Sequence, residues 1–193
     1  GAGTGGTSAA LIAALAKMSS QEATPAREGQ STPGASPPLA IEYVYTDVGK
    51  SFLLHGRRRF GHHPFVRFAA CDVTQSLTGQ GLDAGAFDVV VATNVLHATP
   101  RIVETLARLK VVLRSGGWAV VNEATAVRGF STLIFGLLDG WWMAEDGQLR
   151  IQGSPLLSPR AWQQAFEAAG FGEVRCLGTA VDQLPLEQHV LVA

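Results

Sequence analysis

His97, in the run ATNVLHATP, and Glu123, in the run AVVNEAT, are the residues of this chain whose types and setting point to proton chemistry. An imidazole gains and loses a proton near neutral pH, and a carboxylate that holds it fixes its tautomer, as a general base requires. Each of the two closes an apolar, strand-like segment. An acid at such a place is costly unless paired or near solvent. Adjacent strands lie roughly 5 Å apart, so the two side chains can meet if their strands are neighbours. The expected pair is therefore His97 as base and Glu123 as the group that orients and charge-balances it.

The elements that would position this pair alternate. The chain opens on GAGTGG, a glycine-rich turn, followed by SAALIAALAKM, a run of good helix formers. Glycines let backbone approach a ligand closely, and the following helix offers free N–H groups. IEYVYTD reads as a strand with Asp47 at its tip, SFLLHGRRRF as a helix, and FVRFAACDV as a strand leading to Asp72. FDVVVATN is a continuous apolar run, expected to be a strand buried on both faces. IVETLARLKVVL after Pro100 has helical spacing, and Ser115-Gly116-Gly117 is expected to stop it before the strand WAVVNEA. FSTLIFGLL reads as a short apolar helix, and SPRAWQQAFEAAG as a helix with a Ser-Pro start and a stop at Gly170. FGEVRCLG and QHVLVA read as closing strands, in antiparallel pairing. Strands alternating with helices imply an α/β fold: a mostly parallel sheet with helices on both faces. Residues 19–40, rich in Ser, Pro, Gly, Ala and Gln, are expected to form a long surface loop.

In open α/β sheets ligands bind beyond the carboxyl ends of the strands. Asp47 suits hydrogen bonds from ribose hydroxyls, with a capping role before GKSF as the competing reading. Asp72 can meet an adenine amino group or serve as a turn acid. Trp141 and Trp142, after FGLLDG, either cap the core or line an acyl-chain entrance.

Composition narrows the class. The 193 residues suffice for one domain, 1–193, with a proper core; 47% are hydrophobic, 16% charged, and the net charge is −1. Arg57–Arg59 is the densest basic run, a solvated helix face rather than a nucleic-acid site. His55, His62 and His63 read as surface residues, and no metal is expected. Cys71 and Cys176 stand far apart, which fits reduced thiols in a cytoplasmic protein. No apolar run reaches membrane-spanning length, and no signal peptide is expected.

GAGTGGTS, YTDVGKSFL, FDVVVATNVLHAT, NEAT, FGLLDGWW and SPLLSPRAWQQAFEAAGF occur in this order. In that order the chain resembles the methyltransferase domains embedded in modular type I polyketide synthases. The resemblance implies a class I methyltransferase (Rossmann-like) fold and S-adenosylmethionine as cofactor. It places cofactor contacts at Gly1, Gly3, Gly5, Asp47, Asp72 and Asn94, and a catalytic dyad at His97 and Glu123. It also implies an acyl substrate on the phosphopantetheine arm of an acyl carrier protein, with other synthase domains as partners. The first strand and N-terminal lid of the pattern are expected to be missing from this chain, and its 19–40 loop to be longer. The reaction then expected is C-methylation at the α-carbon of a β-ketoacyl thioester, with Phe135, Trp141 and Trp142 as a dry wall. The alternatives are O-methylation of a β-hydroxyacyl carrier protein and a non-catalytic structural insert of the megasynthase.

Overall fold

The computed structural model describes residues 1–21, 40–178 and 187–193. They fall into two compact units, Gly1–Cys71 and Asp72–Ala193.

The first unit holds α1 (Gly6–Gln21), β1 (Tyr43–Asp47), α2 (Lys50–Phe60) and β2 (Val66–Ala70). β1 and β2 pair in parallel, Tyr43 opposite Val66 and Asp47 opposite Ala70. The connection between them is α2, as a parallel pair requires. Tyr45, Ile12 of α1, and Leu53 and Phe60 of α2 form the core of this unit. α1 runs on through Ser19–Gln21, so the start of the expected loop is helical. Its remaining residues, 22–39, lie outside the described residues.

The second unit carries β3 (Phe87–Thr93), α3 (Ile102–Val112), β4 (Leu113–Ala124), α4 (Gly129–Phe135), α5 (Pro159–Ala168), β5 (Arg175–Leu177) and β6 (Gln188–Val192). The strand order is β3-β4-β6-β5. β3 and β4 are parallel, and β6 lies antiparallel between β4 and β5. The sheet is thus open and mixed, its closing pair antiparallel as expected. α3 buries Ile102, Thr105, Leu106, Leu109 and Val112, an i, i+3, i+4 stripe. α5 buries Trp162, Ala165 and Phe166 at the same spacing; Ser158 caps it by accepting from Ala161 N at 3.2 Å, and Pro159 fills the first position. Ala92 of β3, Leu113, Ala119 and Val121 of β4, and Leu191 of β6 are the sheet's buried apolar side chains among the described residues.

Two expectations need correction here. β3 is not buried on both faces: Val89 is 48% exposed, and Trp118, opposite it on β4, is 54% exposed. An apolar run reports how much hydrocarbon a strand offers; here the Ala92–Val121 pair is buried and the Val89–Trp118 pair is not. The helix α3 also ends at Val112, before Ser115-Gly116-Gly117, and β4 is assigned from Leu113. The serine and glycines instead sit where the β3–β4 register shifts, between the pairs Phe87–Leu113 and Val89–Trp118.

Candidate active site

β3 and β4 are neighbours, with Thr93 opposite Asn122. The next residue, Asn94, continues the ladder: its N–H donates to Asn122 O at 2.8 Å, and its side-chain Oδ1 accepts from Ala124 N at 3.0 Å. Among the described residues it is the non-glycine residue with positive φ, +49°. That left-handed step turns the chain into a short 3-10 turn, Leu96–Ala98, which carries His97. The register therefore delivers Glu123, one residue past Asn122, to the base of this turn.

The structure brings His97 and Glu123 together. Glu123 is fully buried, and its Oε2 meets His97 Nδ1 at 2.5 Å. Its Oε1 accepts from the N–H groups of Val95 and Leu96, both at 2.8 Å. Three donors on one carboxylate offset the desolvation that would otherwise expel it from the core. Since the carboxylate is the acceptor, Nδ1 carries the hydrogen, and in the neutral imidazole the lone pair lies on Nε2. Nε2 has no hydrogen-bond partner among the described residues.

Sequence reasoning missed a second buried pair. Arg150 Nε donates to Asp146 Oδ1 at 2.6 Å, Nη1 to the carbonyls of His97 and Pro155 at 2.8 Å, and Nη2 to Thr99 O at 3.0 Å. Asp146 Oδ2 accepts from Ile102 N at 2.7 Å, at the start of α3. The planar guanidinium thus clamps the backbone on both sides of Ala98. In sequence the two residues sit at i, i+4 in EDGQLR, a spacing that reads as an ordinary surface ion pair. Only the fold reveals that they are buried.

A cavity of about 630 Å³ opens over this turn. Asn94, His97, Phe135, Leu138, Trp141 and Leu156 are among the residues lining it. Trp141 is 7% exposed, presents its edge to His97 at 5.8 Å, and stacks on Phe135 at 5.8 Å. Trp142 departs from its neighbour. It is 57% exposed, donates to Gly136 O at 2.9 Å, and is not one of the lining residues. The paired indoles thus split, one facing the cavity and one the surface.

The glycine turn belongs to the first unit. Gly3 has φ +54° and open space where a Cβ would stand, so bare backbone is offered there. Asp47 braces this turn: Oδ2 accepts from Gly3 N and Oδ1 from Gly49 N, both at 2.8 Å. Tyr45 donates to Gly3 O at 2.9 Å. Burial pushes the Tyr45 phenol up, which keeps it protonated for that bond. Asp72 makes an Asx turn in the second unit, accepting at Oδ1 from Thr74 N at 2.9 Å and Thr74 Oγ1 at 2.7 Å. Gly1 lies exposed ahead of the turn and Gly5 is buried within it.

A family model described as a methyltransferase domain matches residues 1–119, which include the glycine turn and His97 and stop short of Glu123. The chain belongs to the methyltransferase domain family. Among curated relatives this methyltransferase domain is 38% identical to polyketide synthase PksR of Bacillus subtilis over 185 residues, 95% of the chain and 7% of that protein. It is 34% identical to methyltransferase calH of Penicillium decumbens over 178 residues, 92% of the chain and 44% of that protein. Among solved structures, the DszA carbon methyltransferase superposes with a TM-score of 0.82 at 39% identity, covering 100% of the chain and 45% of its own. The trans-methyltransferase CalH in complex with SAH gives 0.78 at 32%, covering 100% and 49%. The chain therefore spans less than half of these relatives' length. The likeness extends over the whole α/β fold, which is that of class I methyltransferases.

Proposed function

We propose that this chain is the catalytic core of an S-adenosylmethionine-dependent carbon methyltransferase. Its substrate on this reading is a β-ketoacyl thioester carried by an acyl carrier protein within a polyketide synthase. The observation that carries this reading is the buried His97–Glu123 contact at 2.5 Å on the wall of a cavity that Phe135, Leu138 and Trp141 also line. A β-ketoacyl thioester must lose an α-proton before its carbon can accept a methyl group, and a neutral imidazole nitrogen facing the cavity is a base for that proton. The likeness to the DszA carbon methyltransferase supports carbon as the acceptor, and the polyketide synthase relatives support a tethered acyl substrate.

The glycine turn fits the cofactor: open backbone at Gly3, with Gly1, Gly3, Gly5 and Asp47 as its proposed holders. Each Asp47 oxygen already accepts one amide hydrogen and has a further lone pair for a ribose hydroxyl. Asp72 Oδ2 has no partner among the described residues and is the proposed acceptor for an adenine amino group. When bound, the cofactor supplies an electrophilic methyl on sulfonium. The residues of the chain do the rest: Glu123 orients His97, Arg150 holds the turn on which His97 sits, and Phe135 and Trp141 keep the cavity wall apolar. Arranging the base against the α-carbon in this way turns a bimolecular step into a local one.

The test offers the full chain β-ketoacyl and β-hydroxyacyl carrier proteins with the cofactor and weighs the products by mass spectrometry. An α-methylated β-ketoacyl product is expected. Methylation of the β-hydroxyl alone would overturn the carbon assignment, and no product from either would return the chain to a structural insert.

A further inference from the structure

We infer that Asn94 is a catalytic residue: its side-chain amide Nδ2 donates to the enolate oxygen formed when His97 removes the α-proton. The inference rests on the carbon-methylation reading and gives that reading its second group. The resemblance gave Asn94 a cofactor contact; its amide donor here takes a role toward the substrate.

The first observation is the backbone. At φ +49° glycine is the inexpensive choice, and asparagine is among the few side chains that tolerate the region. Strained positions of this kind cluster where a side chain must be aimed. The second is the orientation of the amide. Oδ1 accepts from Ala124 N at 3.0 Å, which sets the flip and leaves Nδ2 as the donor end of the amide. Nδ2 has no partner among the described residues, and Asn94 lines the cavity with His97, three residues on. Two residues that line one cavity therefore each keep a group without a partner among the described residues: His97 its Nε2 and Asn94 its Nδ2.

Those are the two groups that enolisation needs. The α C–H bond breaks and its proton joins His97 Nε2. The C–H electron pair becomes the C=C bond, and the carbonyl π pair moves onto oxygen, which becomes the site of negative charge. A fixed N–H donor at that oxygen acts where charge develops, and it acts most strongly in a site closed to water. Trp141 Nε1 is the rival donor, but it is sealed from the surface. The Arg128 guanidinium is already paired with Glu187.

The experiment follows α-proton exchange in D2O on an acetoacetyl thioester of pantetheine, without cofactor, by mass shift. Asn94→Asp keeps an acceptor for Ala124 N and tolerates positive φ, but replaces the donor with an anion. Asn94→Gly relieves the backbone and removes the amide, and serves if the first variant misfolds. The unaltered chain is expected to accelerate exchange above the buffer rate, and both variants to lose about a hundredfold of that acceleration. SAH affinity, read by calorimetry, is expected to stay within about threefold, a shift under 1 kcal/mol. Exchange at the unaltered rate in both variants would overturn the role of Asn94 and leave the dyad standing, and so would a loss confined to SAH binding. No acceleration by the unaltered chain would sink the carbon-methylation reading and this inference together.

Discussion

The turn at Leu96–Ala98 and the segment from α4 to Trp142 face the same cavity and are built in opposite ways. In the turn, Glu123 takes three donors and Arg150 gives four hydrogen bonds, so buried polar groups satisfy one another. What remains open is His97 Nε2. In the α4 segment Phe135, Leu138 and Trp141 line the cavity, while Phe130 and Leu133 are exposed and Leu137 is 82% so. α4 itself buries no residue fully. Buried, satisfied networks specify one geometry, whereas a wall with few contacts repacks at little cost. On the proposed reading, the chemistry sits on the rigid side and substrate shape is met on the adaptable one.

The contrast is sharpest at the base. His97→Ala is expected to lower turnover roughly a thousandfold, within the range for removal of a general base, with SAH affinity nearly unchanged. Single-turnover mass spectrometry and calorimetry read the two separately. Substantial turnover in this variant would end the base assignment.

Glu123→Gln comes next, at about a hundredfold. Glutamine has one acceptor oxygen, whereas Glu123 accepts at both ends. If that oxygen stays with Val95 N and Leu96 N, its NH2 faces His97 Nδ1 and drives the hydrogen to Nε2, where a base is needed. A variant with intact melting temperature and lost turnover would display this tautomer effect.

Arg150→Met should cost about 3–5 kcal/mol of stability, because it strands the Asp146 carboxylate in the interior. Arg150→Lys keeps the charge but not the fork, so a smaller loss is expected in denaturant melts. Equal losses in the two would show that charge alone matters and that the clamp on His97 O and Thr99 O does not.

On the α4 segment, Phe130→Ser and Leu137→Ser, both at exposed positions, should change stability by no more than about 0.5 kcal/mol. A large drop in either would mean that the wall is packed as firmly as the turn and would erase the contrast.

The alternation of elements was legible in the sequence because it depends on local spacing: the stripes on α3 and α5, the Ser158 cap, the β-branched runs. The dyad was legible for a related reason, since both residues end apolar runs and parallel neighbours align their ends. Arg150 and Asp146 were not, because burial of a charged pair is a property of what packs around it. Trp141 and Trp142 could not be told apart either, as adjacent residues of one short turn face opposite ways. The exposed side of β3 escaped for the converse reason: composition announces hydrocarbon and is silent on which elements cover it.

Tyr45 carries a consequence for anyone recombining this domain with its relatives. Its ring fills the place where a side chain at Gly56 would stand, 2.7 Å from a ring carbon, and its hydroxyl lies 3.2 Å from that place at Gly5 beside the Phe60 ring while gripping Gly3. Positions 3, 5, 45 and 56 therefore travel as a set. A chimera joined between residues 6 and 44, or between 46 and 55, inherits the tyrosine from one parent and its empty seats from another, whereas a junction beyond Phe60 passes the whole set on intact.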